Sequence, residues 1–278
     1  MDFAGIELDL HQPQVMGVVN VTPDSFSDGG TLYANDALSV AAAVERAAIM
    51  VQEGASIIDV GGESTRPGAE AVSVDEELSR VVPVIEALRQ RFSVAVSIDT
   101  STPQVIAAAA NAGAGLINDV RALQRDGALQ AAADSGLPIC LMHIKGEPKT
   151  MQQEPHYDDL LADISSYFEE RVLACQAVGI AREKLILDPG FGFGKTLQHN
   201  LQLLHSMQRL QNFNLPILVG MSRKSMLGNV IHKPVGERVF GGVAVAVMAL
   251  ERGATIVRTH DVGATVDALK MTQAVLDS

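Results

Sequence analysis

Ile57-Ile58-Asp59-Val60-Gly61-Gly62-Glu63-Ser64-Thr65-Arg66-Pro67-Gly68 is an apolar run that empties at once into carboxylates, hydroxyls and glycine. It reads as a buried strand followed by a loop whose glycines let backbone approach a ligand and whose proline fixes φ. Val18-Val19-Asn20-Val21-Thr22-Pro23-Asp24-Ser25-Phe26-Ser27-Asp28-Gly29-Gly30 repeats the pattern nearer the start. Working outward, apolar runs recur at 15–19, 56–60, 94–98, 115–117, 138–142, 185–187, 216–219 and 255–257. They are nearly continuous in Val, Ile and Leu, as parallel strands covered on both faces should be.

Amphipathic segments alternate with these runs. Ser73 with Glu76 forms a capping-box pattern, and Leu78, Val81, Ile85 and Leu88 keep helical spacing behind it. Thr102 before Pro103 predicts an N-cap, and Gly113 a stop. Val40, Val44, Ala47 and Val51 form another stripe closed by Gly54, and a last helix is expected over 261–277.

Eight such units predict an α/β fold, a (β/α)8 TIM barrel, with residues 1–13 as a short plug or hairpin over its floor. An open doubly wound sheet is the alternative, because strand order is invisible in sequence. The exits favour the barrel. Each run is followed directly by polar or Gly-rich chemistry: Asn20, Asp59 to Gly62, Asp99, Asn118-Asp119, His143, Asp188, Ser222 to Lys224, and Arg258 with His260. A barrel gathers all its strand ends around one mouth, whereas an open sheet concentrates its site at one crevice.

The 278 residues, 47% hydrophobic and 19% charged with no low-complexity linker, suit one domain spanning 1–278. A net charge of -12 argues against nucleic acid as a partner, since phosphate backbones are bound by Lys and Arg. No basic and apolar leader opens the chain, and no apolar stretch is long enough to span a membrane, so the expected location is cytoplasmic. Two cysteines make no disulfide framework; Cys140 and Cys175 read as small core residues.

Asp99 and Asp188, each at a strand end, could bind metal or accept from a heterocycle with several N–H donors; Asn118 suits the second task. Lys224 could form a Schiff base, or act as a cation that steadies ligand oxygen or ring nitrogen. Arg223 could pair with a carboxylate. Alternation puts Arg258 and His260 on one side, where with Asn20 and the start of the last helix they would make an anion site. Gly190-Phe191-Gly192-Phe193-Gly194-Lys195-Thr196 looks like a phosphate-binding loop but has three residues, not four, between Gly190 and Gly194. It reads as a flexible loop with Phe193 able to cover a flat ligand. His156, His199, His205 and His232 lack metal-ligand spacing and are expected to face solvent.

With these residues placed, the chain resembles the dihydropteroate synthases over essentially its whole length. The matching stretches are 20–30, 59–68, 99–100, 118–119, 141–143, 188–195, 220–225 and 258–261. The resemblance implies condensation of p-aminobenzoate with 6-hydroxymethyl-7,8-dihydropterin pyrophosphate, assisted by Mg²⁺ with Asn20 as its protein ligand. It also implies a sulfonamide target and a homodimer.

Carried onto this sequence, the pterin would meet Asp99, Asn118, Met142, Asp188, Phe193, Gly220, Lys224 and Arg258. Pyrophosphate would meet Asn20, Arg66, Arg258 and His260. The aminobenzoate pocket would comprise Phe26, Thr65, Arg66, Pro67, Phe193 and Ser222, completed when the first two loops close. Asp99, Lys224, Arg258 and His260 would carry catalysis. The rival readings are a pterin-binding methyltransferase domain, a Schiff-base aldolase acting through Lys224, and a pterin-binding subunit that has lost catalysis.

Overall fold

The computed structural model describes residues 1–22, 33–34, 37–64, 72–146 and 150–278. Eight parallel strands run in chain order: β1 (Gln14–Asn20), β2 (Ile57–Gly61), β3 (Ala95–Asp99), β4 (Leu116–Asp119), β5 (Ile139–Met142), β6 (Leu185–Asp188), β7 (Leu218–Val219) and β8 (Ile256–Thr259). Each of β1 to β5 pairs with the next in sequence, and β8 joins β1 to β7. A single parallel bridge, Leu187 with Ile217, closes β6 onto β7. The ring is therefore a barrel, and the open sheet is excluded.

Helices α1 (Val40–Gln52), α2 (Val74–Arg91), α3 (Pro103–Asn111), α4 (Ala128–Ser135), α5 (Leu160–Ala177) and α6 (Leu197–Ser206) follow β1 to β6 in turn. After β7 the chain makes two, α7 (Ser225–Ile231) and α8 (Val239–Leu250), before β8 and α9 (Val262–Leu276). That extra helix departs from a strict eight-unit count. The 232–242 stretch hides it, being punctuated by Pro234, Gly236, Gly241 and Gly242. Among the described residues no helix is long and apolar enough to cross a membrane.

Local chemistry explains most boundaries. Ser73 accepts from the Glu76 amide at 3.3 Å and starts α2. Thr102 holds the N-cap position of α3 but caps nothing; its hydroxyl is 2.9 Å from the buried carboxylate of Glu77. The expected cap is thus a tie between helices.

The N-terminal segment forms the expected plug. An Asp2–Glu7 antiparallel bridge turns it back on itself and drives Phe3 into the barrel floor. There Phe3 meets one residue from every strand: Met16, Ile57, Ala95, Leu116, Cys140, Ile186, Leu218 and Ile256. Gly115 is obligatory beside it, because a Cβ would sit 2.5 Å from the Phe3 carbonyl oxygen. Strand side chains alternate in and out with a period of two. The layer above this apolar floor is therefore Val18, Asp59, Ser97, Asn118, Met142, Asp188, Gly220 and Arg258. Polarity begins one step up from the floor, toward the C-terminal mouth.

Candidate active site

Asp59 is the centre of the polar layer. Fully buried, its Oδ2 accepts from Arg258 Nε at 2.7 Å and from Asn118 Nδ2 at 3.2 Å. Arg258 reaches on with Nη2 to Asp99 Oδ2 at 3.0 Å. Arg258, expected at an anion site, is thus paired with two carboxyl groups, one guanidinium facing both within the polar layer. Burial and Asp59 push Asp99 up to about 8 against the pull of Arg258. Asp59 Oδ1 and Ser97 Oγ, opposed in register on β2 and β3, find no hydrogen-bond partner among the described residues.

The tie to Asp59 turns the Asn118 NH₂ toward that carboxylate and leaves its amide oxygen as an acceptor. Asp188 is buried, which raises its pKa, with Lys224 pulling the other way. Its Oδ1 already accepts from the Gly190 amide at 2.8 Å. Acceptors on β4 and β6 thus share the layer with the Arg258 cation on β8.

Lys224 closes this layer from the β7 exit. Its ammonium donates to the Phe191 carbonyl at 2.5 Å and lies 4.7 Å from the centre of the Phe193 ring. Burial lowers its pKa to about 8, although Asp188 and Asp99 act to raise it. Met142 is buried and packs with Val120, Ile144, Met151 and Phe193. Gly220 leaves room for both cations; a Cβ there would lie 3.8 Å from Arg258 and 4.0 Å from Lys224 Nζ.

The β7 and β8 exits are stitched together. Arg223 pairs with Asp261, Nη2 to Oδ1 at 2.6 Å and Nε to Oδ2 at 3.3 Å, as the sequence allowed. Ser222 Oγ accepts from the His260 amide at 3.1 Å and lies 3.1 Å from His260 Nδ1. A serine hydroxyl donating to Nδ1 would leave Nε2 carrying the ring hydrogen. Burial, then Arg258 and Arg223, drive His260 down to about 3, so it is a neutral donor at physiological pH. The first turn of α9 contributes less than expected, because Glu53 lies 3.3 Å from the Gly263 amide and accepts from it. An anion here would be met mainly by side chains. Arg238, at the start of α8, donates to the Arg223 carbonyl at 2.8 Å and braces the β7 exit from outside.

Asn20 ends β1, paired in register with Gly61; a Cβ on Gly61 would sit 3.4 Å from Asn20 Oδ1. Phe26, Thr65, Arg66 and Pro67 lie outside the described residues. The loop after β6 differs from its expectation: it is tied down rather than flexible. Tyr157 donates to the Gly194 carbonyl at 2.9 Å, Gly192 N–H to Asn200 at 2.7 Å, and buried Lys195 to the Gly190 and Phe193 carbonyls. Of the four histidines expected in solvent, His156, His205 and His232 are exposed, while half-buried His199 packs its ring on Tyr157.

Sequence reasoning did not single out Asp59 as a hub, Lys195 as a tie, or Glu77 as a buried acceptor for Thr100 and Thr102. Only Asp59 carried a readable signal, its even spacing from Ile57 and Gly61.

A family model described as "Pterin binding enzyme" matches residues 16–260. The chain is 56% identical over 274 residues to the dihydropteroate synthase of Escherichia coli (strain K12), covering 99% of this chain and 95% of that one. It is 49% identical over 271 residues to the dihydropteroate synthase of Haemophilus influenzae, covering 98% and 97%. The Yersinia pestis dihydropteroate synthase with a sulfonamide drug superposes with a TM-score of 0.96 at 55% identity over 100% of both chains. The Xanthomonas albilineans dihydropteroate synthase in complex with 7,8-dihydropteroate gives 0.88 at 45% identity, covering 99% and 98%.

Proposed function

Because this chain belongs to the dihydropteroate synthases, we propose that its barrel mouth joins p-aminobenzoate to 6-hydroxymethyl-7,8-dihydropterin pyrophosphate, giving 7,8-dihydropteroate and pyrophosphate. The observation that carries the reading is the polar layer itself. Acceptors Asp188, Asp99 and Asn118 and the cations Lys224 and Arg258 gather above an apolar floor, and a flat heterocycle with N–H donors on one edge and acceptors on the other fits that set. Gly220 and Met142 border the ring without competing polar groups.

In the reaction a C–O bond to pyrophosphate breaks, a C–N bond to the arylamine forms, and the nitrogen gives up one proton. The pterin ring delocalises positive charge on its methylene, so a dissociative, SN1-like course suits the substrate. Asp99, held close to Arg258, would stand near that cation as an acceptor. The arylamine is already a neutral nucleophile and needs no strong base. His260 Nε2–H and Arg258 would meet the charge growing on the departing pyrophosphate, donors set in place beforehand by Ser222 and Asp59.

The residues fit Mg²⁺ as an ion carried on pyrophosphate. Asn20 offers one neutral oxygen, and among the described residues no group of three or more His, Cys, Asp or Glu side chains comes together. Such a donor set suits an ion that keeps its waters and substrate phosphates and takes one or two protein oxygens. Bound there, Mg²⁺ would neutralise leaving-group charge. Arg66 would share that task, and Phe26, Thr65, Arg66, Pro67, Phe193 and Ser222 would wall the aminobenzoate.

Location in the cytoplasm and pairing with a second copy belong to the same proposal. Phe240 on α8 is 88% exposed, and Val230, Met248 and Met271 on the adjoining α7, α8 and α9 are exposed too. Exposed large apolar side chains on neighbouring helices would suit a surface covered by a second copy. Incubating the enzyme with both substrates and Mg²⁺, then identifying dihydropteroate by mass spectrometry, tests the activity. Its absence with folded protein would refute the reading.

A further inference from the structure

The loop after β6 carries a lysine that neither the anion site nor the pterin floor uses. Lys195 is buried, and its partners are not carboxylates: Nζ lies 2.8 Å from His143 Nδ1, 2.9 Å from the Gly190 oxygen and 3.1 Å from the Phe193 oxygen. Burying a lysine without an ion-pair partner is costly, so it persists where its hydrogen bonds organise something else. Burial drives its pKa well down and, with Lys195 adding to it, sends His143 to about 2.

The two carbonyls it holds bracket the tightest part of the loop. Gly190 and Gly194 have φ of +68° and +61°, and a Cβ on them would lie 1.9 Å from the His143 oxygen and 2.3 Å from the Lys145 oxygen. The loop is therefore pressed against the β5 exit, and Lys195 fastens it there. The same loop carries the Phe193 ring and the Phe191 carbonyl, both against Lys224.

We infer that Lys195 is a positioning residue, a buried clamp that fixes the 190–195 loop and thereby sets the Phe193 wall for the aminobenzoate ring. The inference rests on the reading of Phe193 as part of that wall. It explains why a glycine-rich, lysine-ended stretch that looks phosphate-binding points its lysine into the protein instead. Asn118 and Asp99 stand on strand ends outside the loop, whereas the loop reaches two other pterin groups: the Gly190 amide donates to Asp188 and the Phe191 carbonyl accepts from Lys224.

The test is Lys195→Met, which keeps the aliphatic stem and removes the amine, beside Phe193→Ala. Expected for Lys195→Met are an aminobenzoate KM raised about tenfold or more, since small displacements of a positioning wall are expensive, and faster amide exchange confined to 190–195. Affinity for a pterin analogue should fall by a clearly smaller factor than the aminobenzoate KM rises, because the loop touches Asp188 and Lys224 only through backbone atoms. Phe193→Ala should raise the same KM. If it does not, the wall reading fails. If Phe193→Ala raises KM while Lys195→Met leaves KM and exchange unchanged, the clamp is wrong. Equal losses of pterin and aminobenzoate affinity would indicate general loosening and also overturn it. Should Lys195→Met not fold, His143→Phe removes one partner of the amine. A smaller KM rise with the same local exchange supports the clamp, and no change in either refutes it.

Discussion

Asp188 has one oxygen occupied by the Gly190 amide, so a ligand N–H must be met by the lone pairs that remain. Asp188→Asn would turn an NH₂ toward those donors and leave them unpaired in a buried site. The expected cost is about 2–4 kcal/mol of pterin-analogue affinity by calorimetry, the range for losing a charged acceptor; near-unchanged affinity would remove Asp188 from the pterin edge. Lys224 gives a pH signature. Its pKa is lowered to about 8 by burial, so its ammonium is lost as pH rises through that value. If the ammonium donates to pterin acceptors, affinity falls above about pH 8, and a ligand-bound Lys224 titrates higher than the free one. Lys224→Arg, which keeps its charge, should flatten that limb. A wild-type affinity that stays level across it would place Lys224 outside the pterin contacts.

At the scale of elements, the β7 and β8 exits work as one unit through Ser222–His260 and Arg223–Asp261. His260→Ala should cut turnover roughly 10²–10³-fold, the usual loss for one leaving-group donor, while pterin affinity hardly moves. Arg258→Ala should lower turnover more than it lowers pterin affinity and also destabilise the fold by about 3–5 kcal/mol, because Asp59 and Asp99 would lose their shared cation. Thermal melts beside steady-state kinetics separate the two effects; full turnover in either variant would remove that residue from the anion site.

The strands themselves were legible, because doubly covered parallel strands must be apolar and their polar exits stand out against that background. Asn118, Asp188, Lys224 and Arg258 were readable for the same reason. What escaped were relationships between distant residues: Arg258 reaching Asp59 across 199 positions, or Lys195 turning inward to His143 across 52. Local patterns carry no record of such pairings. The extra helix after β7 escaped because 232–242 has no periodicity to read.

Across the whole molecule, the barrel separates stability from chemistry along its axis. Phe3 and its ring of eight strand residues close the bottom, and the polar layer begins one step above. On the outside, α8 is apolar yet leaves Phe240 in solvent, which the proposed second copy would cover. Phe240→Asp should therefore shift the protein toward monomer in sedimentation at equal concentration, with the site layer intact; an unchanged mass would move the interface elsewhere. The central claim concerns the reaction in the mouth, and pyrophosphate release reports it most directly. Mixed with dihydropterin pyrophosphate, p-aminobenzoate and Mg²⁺, the enzyme should release pyrophosphate in step with aminobenzoate consumed. Release that fails to appear, or that proceeds with no matching loss of aminobenzoate, would contradict the account.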